Sequence, residues 1–162
     1  MGRPLQDCLT NRLDAAAFAA TWLVGIVGES PSRQSRAPLL WNHLLRSMDI
    51  DAYYVPFDVE PDRLDEFLSA VRHDERIKGF NVAVPYKQRI LPLLDDVDAK
   101  AHRIGAVDTV TRDRTGRLIG SNAEGSGSLA SLTTRFPGGQ GPFIDEPDGL
   151  QGLSVLLLGA GC

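Results

Sequence analysis

Residues 79–87, Gly-Phe-Asn-Val-Ala-Val-Pro-Tyr-Lys, place a lysine directly after an apolar stretch that ends in proline. Pro85 needs no donor to a neighbouring strand and has a fixed φ, so it can end a strand and turn the chain. An ammonium group at Lys87 can stabilise negative charge that develops on a carbonyl oxygen, and it can donate a proton to that oxygen. When no other motif is considered, the same residues are interpreted as a strand end followed by an exposed lysine on the first turn of a helix.

Two further groups of residues could take part in catalysis or ligand binding. Glu124 stands at the start of a predicted helix, where the helix dipole favours a carboxylate. Gly159, Ala160 and Gly161 follow an apolar run and match the start of a G-x-G-x-x-G turn, which holds a dinucleotide pyrophosphate at a helix N-terminus. A strand that ends in a glycine turn explains the same three residues, and their position alone does not decide between the two interpretations.

The elements that must position these residues alternate between strand and helix. Continuous apolar runs predict buried strands at residues 21–28, 52–56 and 77–84. Apolar residues at helical spacing follow Pro38 and Pro61. The remaining predicted elements are a helix at 95–105 that ends at Gly105, a hairpin at 106–112 and 118–122, and a helix at 124–136. This order predicts an α/β fold, a three-layer sandwich around a mostly parallel sheet.

The chain is predicted to have four parts. Residues 137–152 are rich in glycine, proline and acid, which is typical of a linker. Before the linker, we expect an N-terminal extension at 1–20 without an assigned function and the α/β domain at 21–136. After it, residues 153–162 are predicted to be the first strand and turn of a Rossmann-like domain.

Composition argues against several classes of function. The 162 residues are 43% hydrophobic and 23% charged, with a net charge of −4 and a pI of about 5.3. Such a chain has no electrostatic preference for nucleic acid or for an anionic membrane. No apolar run is long enough to span a bilayer, and the N-terminus lacks the pattern of a secretory signal. Cys8 and Cys162 lie far apart and the histidines are scattered, so we expect no metal site and a cytoplasmic location.

Five motifs in order along the chain resemble those of the shikimate dehydrogenase family. They are SPSRQSRAPLLWN at 30–42, GFNVAVPYK at 79–87, GAVDT at 105–109, GSNAEGSG at 120–127 and VLLLGAG at 155–161. The resemblance implies a two-domain oxidoreductase that depends on NADP or NAD. Its N-terminal domain would bind a cyclic polyhydroxy carboxylate, and the reaction would be reduction of a ring ketone such as 3-dehydroshikimate to shikimate, on the chorismate route to the aromatic amino acids.

The resemblance also implies roles for individual residues. Lys87 matches the family's catalytic lysine, and Glu124 stands where the family has a catalytic aspartate. The cofactor would meet the turn at residues 159–161. The positions implied to bind substrate are Ser35, Ala37, Asn81, Ala83, Asp108 and Asn122.

Several of these positions depart from the family pattern. Ala37 and Ala83 stand where the family has serine and threonine, so each lacks a hydroxyl that could bind a carboxylate, and Ala123 likewise replaces a threonine. Losing a hydrogen bond to a charged group costs about 1.5–3 kcal/mol. Asp108 replaces an asparagine and would repel a carboxylate ligand while attracting a hydroxyl or an amine. We therefore expect a substrate that is less anionic than shikimate, or that bears an amine.

Other interpretations stay open from the sequence. Shikimate or quinate remains the substrate if Asn42, Asn81, Asn122 or a water replaces the lost hydroxyls. A non-catalytic ligand-binding homologue is a second possibility, and retention of Lys87 and Glu124 argues against it. The expected partner is a small molecule, with a homodimer as the possible assembly. Hydride transfer is not expected from these 162 residues alone.

Overall fold

A computed structural model describes residues 4–133 of the chain. The chain divides into two units, Met1–Asn122 and Ala123–Cys162. Within residues 4–133, the first unit contains all of the strands and all helices but one. In the second unit the described part is helix α7, Glu124–Thr133, and the predicted linker and Rossmann-like strand lie outside the described residues.

One six-stranded sheet organises the first unit. Its strands are β1 Trp22–Gly28, β2 Ala52–Asp58, β3 Ile77–Val82, β4 Asp96–Val97, β5 Thr109–Arg112 and β6 Leu118–Ser121. The strand order is β2-β1-β3-β5-β6-β4. β1 pairs in parallel with both β2 and β3, and β4 pairs in parallel with β6, whereas β5 is antiparallel to its two neighbours. The predicted mostly parallel sheet is confirmed.

Helices cover both faces of this sheet. They are α1 Ala15–Ala19, α2 Pro31–Gln34, α3 Ala37–Ser47, α4 Leu64–His73, α5 Tyr86–Arg89 and α6 Ala99–Ile104. Tyr54 stacks on Trp41 of α3 with ring centroids 6.1 Å apart, while Phe57 packs against Phe67 of α4 at 5.3 Å. Successive side chains of a strand point to opposite faces, so α3 and α4 lie on opposite sides of the sheet. This confirms the three layers.

The main core lies between the sheet and α4. The helix places Leu64, Phe67, Leu68 and Val71 on one buried face, as their spacing predicts. Short 3-10 turns at Leu5–Cys8, Pro61–Arg63 and Leu91–Leu93 complete the connections. The segment before β1, which the sequence analysis treats as an extension, contributes four side chains to this core, namely Leu5, Cys8, Leu9 and Ala17.

The predicted helix at 95–105 is wrong at its beginning. Asp98 caps α6, because its side chain accepts a hydrogen bond from the Ala101 amide at 2.6 Å. The two residues before this cap form β4 and pair with β6. The end of the helix agrees with the prediction: Gly105 has a φ of 74°, a left-handed conformation that suits glycine. The predicted hairpin is confirmed as β5 and β6.

Gly25 lies where β1 packs closely against the backbone of β2 and the ring of Phe57. A Cβ at this position would lie 2.3 Å from the Val55 carbonyl oxygen and 2.4 Å from a ring carbon of Phe57. The Gly25→Ala substitution should therefore lower the free energy of unfolding by about 3 kcal/mol, because overpacking a fixed core forces backbone shifts. Urea unfolding measures this change.

Gly125→Ala is the matched control. A Cβ there meets nothing within 4 Å, and alanine is the better helix former in α7. This variant should leave the unfolding of the sheet unit unchanged. Equal stabilities of Gly25→Ala and the parent would contradict the close approach.

Candidate active site

A cavity of about 270 Å³ opens where β1 and β3 end. In open α/β sheets, ligands bind at the carboxyl ends of the parallel strands. The polar side chains that line this cavity come from the loop after β1 and are Glu29, Ser30, Gln34 and Ser35. Ala83 and Val84, which follow β3, line the other side. Two predicted substrate positions, Ser35 and Ala83, thus meet in one cavity.

Main-chain hydrogen bonds tie the segment carrying Lys87 to the segment carrying Asp108. The Val107 amide donates to the Lys87 carbonyl at 2.7 Å, and the Val82 amide donates to the Asp108 carbonyl at 2.7 Å. Ala83 in turn donates its amide to a carbonyl of β1 at 2.8 Å. The segments that carry positions 83, 87 and 108 are therefore bonded to one another at the end of the sheet where β3 ends.

The side chains of this edge differ in burial. Lys87 is half-buried on α5. Asp108 is only 6% exposed, and its Oδ1 accepts a hydrogen bond from the Thr109 hydroxyl at 2.8 Å. A buried carboxylate interacts strongly with charges around it, because the local dielectric is low. Asp108 is thus a buried acid on the segment that main-chain bonds join to β3.

Tyr86 anchors the segment that carries Lys87. Its ring is fully buried, and its hydroxyl donates to the Val59 carbonyl at 2.6 Å. Burial, with a smaller contribution from the negative charge of Glu29, raises the pKa of Tyr86 to about 12. A neutral buried phenol therefore fixes the residue next to the candidate proton donor.

Three other predicted substrate positions form hydrogen bonds within the protein. The amide of Asn122 donates to the Ala106 carbonyl at 3.0 Å, and Asn81 accepts the Tyr54 hydroxyl at 2.8 Å. Asn81 lines a different cavity, of about 320 Å³, beside α3. Ala37 begins α3, and its amide donates to the Ser35 hydroxyl at 3.1 Å. These residues hold the loops and the sheet face around the site.

Asn42 also has a structural role. β2 is an edge strand, and the Asn42 side chain bonds Tyr54 of β2 as a neighbouring strand would. Its amide nitrogen donates to the Tyr54 carbonyl at 2.9 Å, and its oxygen accepts the Tyr54 amide at 2.7 Å. Both ends of the amide are thus used, so Asn42 is poorly placed to replace a lost substrate contact.

The remaining predicted residues belong to the second unit of the chain. Glu124 begins α7 in the second unit and is exposed. Gly159, Ala160 and Gly161 lie outside the described residues.

Sequence reasoning missed two acids of this edge, Glu29 and Asp58. Glu29 lines the cavity, and Asp58 is the buried last residue of β2. A carboxylate at the end of an apolar strand was the available signal for Asp58. Across residues 4–133, no group of three or more His, Cys, Asp or Glu side chains is placed to hold a metal ion. In the same part of the chain, no helix has the length and apolar character needed to cross a membrane.

The chain is similar in sequence to a known protein family and to characterised proteins. The family model of the shikimate dehydrogenase substrate binding domain matches residues 26–110. Shikimate dehydrogenase (NADP(+)) of a Geobacillus species is 44% identical over 131 residues, which is 81% of this chain and 43% of that protein.

Two solved structures resemble the fold closely. Shikimate 5-dehydrogenase of Thermus thermophilus, in complex with NADP(H) and shikimate, has a TM-score of 0.63 and 31% identity over 69% of this chain and 41% of its own. Ligand-free 5-ketofructose reductase of a Gluconobacter species has a TM-score of 0.65 and 32% identity over 72% of this chain and 41% of its own. The present chain spans less than half the length of these relatives.

Buried tyrosines give the fold a testable dependence on alkaline pH. Burial raises the pKa of Tyr54 to about 12, as it does for Tyr86. In the unfolded chain a tyrosine loses its proton near pH 10. The folded state therefore retains protons that the unfolded state has released, and stability present below pH 10 should fall as pH rises toward 12.

Unfolding free energies measured by urea titration between pH 8 and pH 11.5 test this expectation. The Tyr54→Phe and Tyr86→Phe variants should each show a shallower loss above pH 10 than the parent. Parallel curves for the parent and both variants would contradict the assignment.

Proposed function

The chain belongs to the shikimate dehydrogenase substrate binding domain family, and we propose that it is the substrate-binding half of an NAD(P)-dependent oxidoreductase that interconverts a ring ketone and a secondary alcohol. The reaction proposed first is reduction of 3-dehydroshikimate to shikimate. The observation that supports it most directly is a polar cavity lined by Ser35 and Ala83, at the end of the sheet where main-chain bonds hold the segment that carries Lys87.

Lys87 has the proposed catalytic role. Its ammonium group would stabilise charge on the carbonyl oxygen of the substrate and donate a proton to it in the direction of reduction. Tyr86 and the bond from Val107 restrict the segment, which favours a fixed lysine position. Glu124 is proposed as the second catalytic group because of the match at residues 120–127.

The substrate would be oriented by the cavity itself. Ser35, Ser30 and Gln34 offer a hydroxyl-rich and amide-rich wall suited to ring hydroxyls. When bound, the nicotinamide supplies or accepts the hydride. Gly159, Ala160 and Gly161 are the residues proposed to contact the cofactor, which is NADP or NAD by comparison with the relatives.

Location and assembly are proposed from the sequence. We propose a cytoplasmic protein that acts on small molecules without a nucleic-acid or membrane partner. A homodimer is proposed for the full-length protein, and light scattering of that protein measures its mass.

Substitution of Lys87 tests the first proposal. In the full-length protein, Lys87→Met should lower kcat by about 100- to 10,000-fold with a smaller change in KM, because a proton donor acts in the transition state. Lys87→Arg should not restore the rate, since a guanidinium does not release its proton. The measurement is NADPH consumption with 3-dehydroshikimate.

Lys78→Met is the matched control. Lys78 lies on β3 of the same segment, with its ammonium 4.2 Å from the centre of the Trp22 ring. Its loss should leave kcat within a few-fold of the parent. Equal rates for Lys87→Met and the parent would overturn the catalytic role, and ligand binding without any turnover by the parent would favour the non-catalytic homologue.

A second candidate substrate class is a neutral keto sugar. Among the residues lining the cavity, Glu29 is the one with an ionisable side chain, and the buried acid Asp108 lies on the segment bonded to the one that carries Lys87. Arg33 and Arg36 are exposed and do not line the cavity. Negative charge disfavours a carboxylate ligand but not a polyol. The similar fold of 5-ketofructose reductase supports this candidate.

Substrate preference tests this second candidate. Asp108→Asn should raise kcat/KM for shikimate by about tenfold, because removing a like charge lowers the repulsion of the substrate carboxylate. The same change should not raise kcat/KM for 5-ketofructose, which has no charge to repel. Steady-state kinetics of the full-length protein with both substrates gives the ratio.

Glu29→Gln is the comparison variant. It should also raise the ratio of kcat/KM for shikimate to kcat/KM for 5-ketofructose. A parent protein that strongly prefers shikimate, together with an Asp108→Asn variant of unchanged ratio, would contradict the neutral-substrate proposal and leave the shikimate reaction as proposed.

A further inference from the structure

Asp58 joins the end of β2 to the loop that lines the candidate cavity. It is 3% exposed and pairs in register with Gly28, the last residue of β1. Its Oδ1 accepts the backbone amide of Ser32 at 2.8 Å, and its Oδ2 accepts the Ser32 hydroxyl at 2.5 Å. Both carboxylate oxygens thus bind one residue that lies 26 positions away in sequence.

The backbone of Asp58 is held by a different segment from the one that its side chain binds. Its amide donates to the Asn11 side-chain oxygen at 2.9 Å, and its carbonyl accepts the Thr10 amide at 2.8 Å. The Val59 amide donates to the Gly28 carbonyl at 2.9 Å. With its main chain held by two segments, the carboxylate of Asp58 is a rigid anchor rather than a mobile surface acid.

The anchored loop cannot hold its shape alone. α2 has four residues, Pro31–Gln34, and an isolated helix of this length is unstable in water. Ser35 follows directly, and its amide donates to the Pro31 carbonyl at 3.0 Å. The position of the Ser35 hydroxyl therefore depends on the same turn that Asp58 holds through Ser32.

The surroundings of Asp58 favour a positioning role over a purely stabilising one. In the part of the chain that the structure describes, no ion pair involves Asp58. Burying a carboxylate without a cation is costly even when hydrogen bonds satisfy it. The bonds that offset this cost are all directed to one side, onto the loop that carries Ser30, Gln34 and Ser35 into the cavity.

We propose that Asp58 is a positioning residue that holds loop 29–36 so that Ser35 meets the substrate. This rests on the proposed function for the role of Ser35, while the hold on the loop stands on the hydrogen bonds alone. Asp58 acts through Ser32 and does not touch the reacting atoms.

Substitution in the full-length protein separates this role from simple stability. Asp58→Ala should raise KM about tenfold or more and leave kcat within a few-fold. Asp58→Asn should recover most of the affinity, because its oxygen can still accept the Ser32 amide and its amide can donate to the Ser32 hydroxyl. Ser32→Ala should raise KM in the same direction by less, which provides a second variant where Asp58→Ala folds poorly.

The chain contains a matched control at the opposite end of the sheet. There, Asp51 accepts the backbone amide of Thr21 at 3.4 Å and also its hydroxyl, the same arrangement before β1 and β2 instead of after them. Asp51→Ala should leave KM unchanged. An increase in KM for Asp58→Ala no larger than that for Asp51→Ala would overturn the proposal.

A double-mutant cycle and hydrogen exchange complete the test. If Asp58, through Ser32, sets the position of Ser35, the Asp58→Ala and Ser35→Ala effects on KM should not add, whereas additive effects would contradict the link. Amides of residues 32–35 should exchange faster in Asp58→Ala than in Asp51→Ala, and equal exchange would overturn the hold on the loop. A parent that turns over neither shikimate nor 5-ketofructose would reject the proposed function, and the exchange measurement would still decide the loop proposal.

Discussion

The parallel pairing of β1 with both β2 and β3 is the constraint on which the rest of the molecule depends. Because these strands run in the same direction, the loops that follow Gly28, Asp58 and Val82 all leave at one edge of the sheet. That edge holds the candidate cavity. Gly25 permits the close packing of β1 against the Phe57 ring, and the aromatic contacts among Phe57, Phe67 and Phe80 stabilise this arrangement.

The antiparallel half of the sheet completes the edge. β5 runs against β3, so the residues just before β5 lie beside the residues just after β3. This places Asp108 next to the segment from Ala83 to Lys87, a neighbourhood held by main-chain bonds from Val82 and Val107. Because these bonds are between main-chain atoms, the side chains at positions 83 and 108 can differ while the backbone stays fixed.

Much of this could be predicted from sequence because the signals are local. Apolar runs predicted β1 and β3, and Gly105 predicted the end of α6. The start of α6 was missed because a cap at Asp98 and a two-residue strand leave little trace in periodicity. Asp58 was missed for a different reason: its partners lie tens of residues away, and only the folded chain brings them together.

We propose that the ligand site lies where β1 and β3 end. Amide NMR spectra of the protein, titrated separately with shikimate and 5-ketofructose, test it most directly. At least one of them should shift the amide signals of Ser35, Ala83 and Val107. Shifts confined to the second cavity, around Trp41, Asn81 and Thr111, would contradict it, as would a lack of response to both compounds.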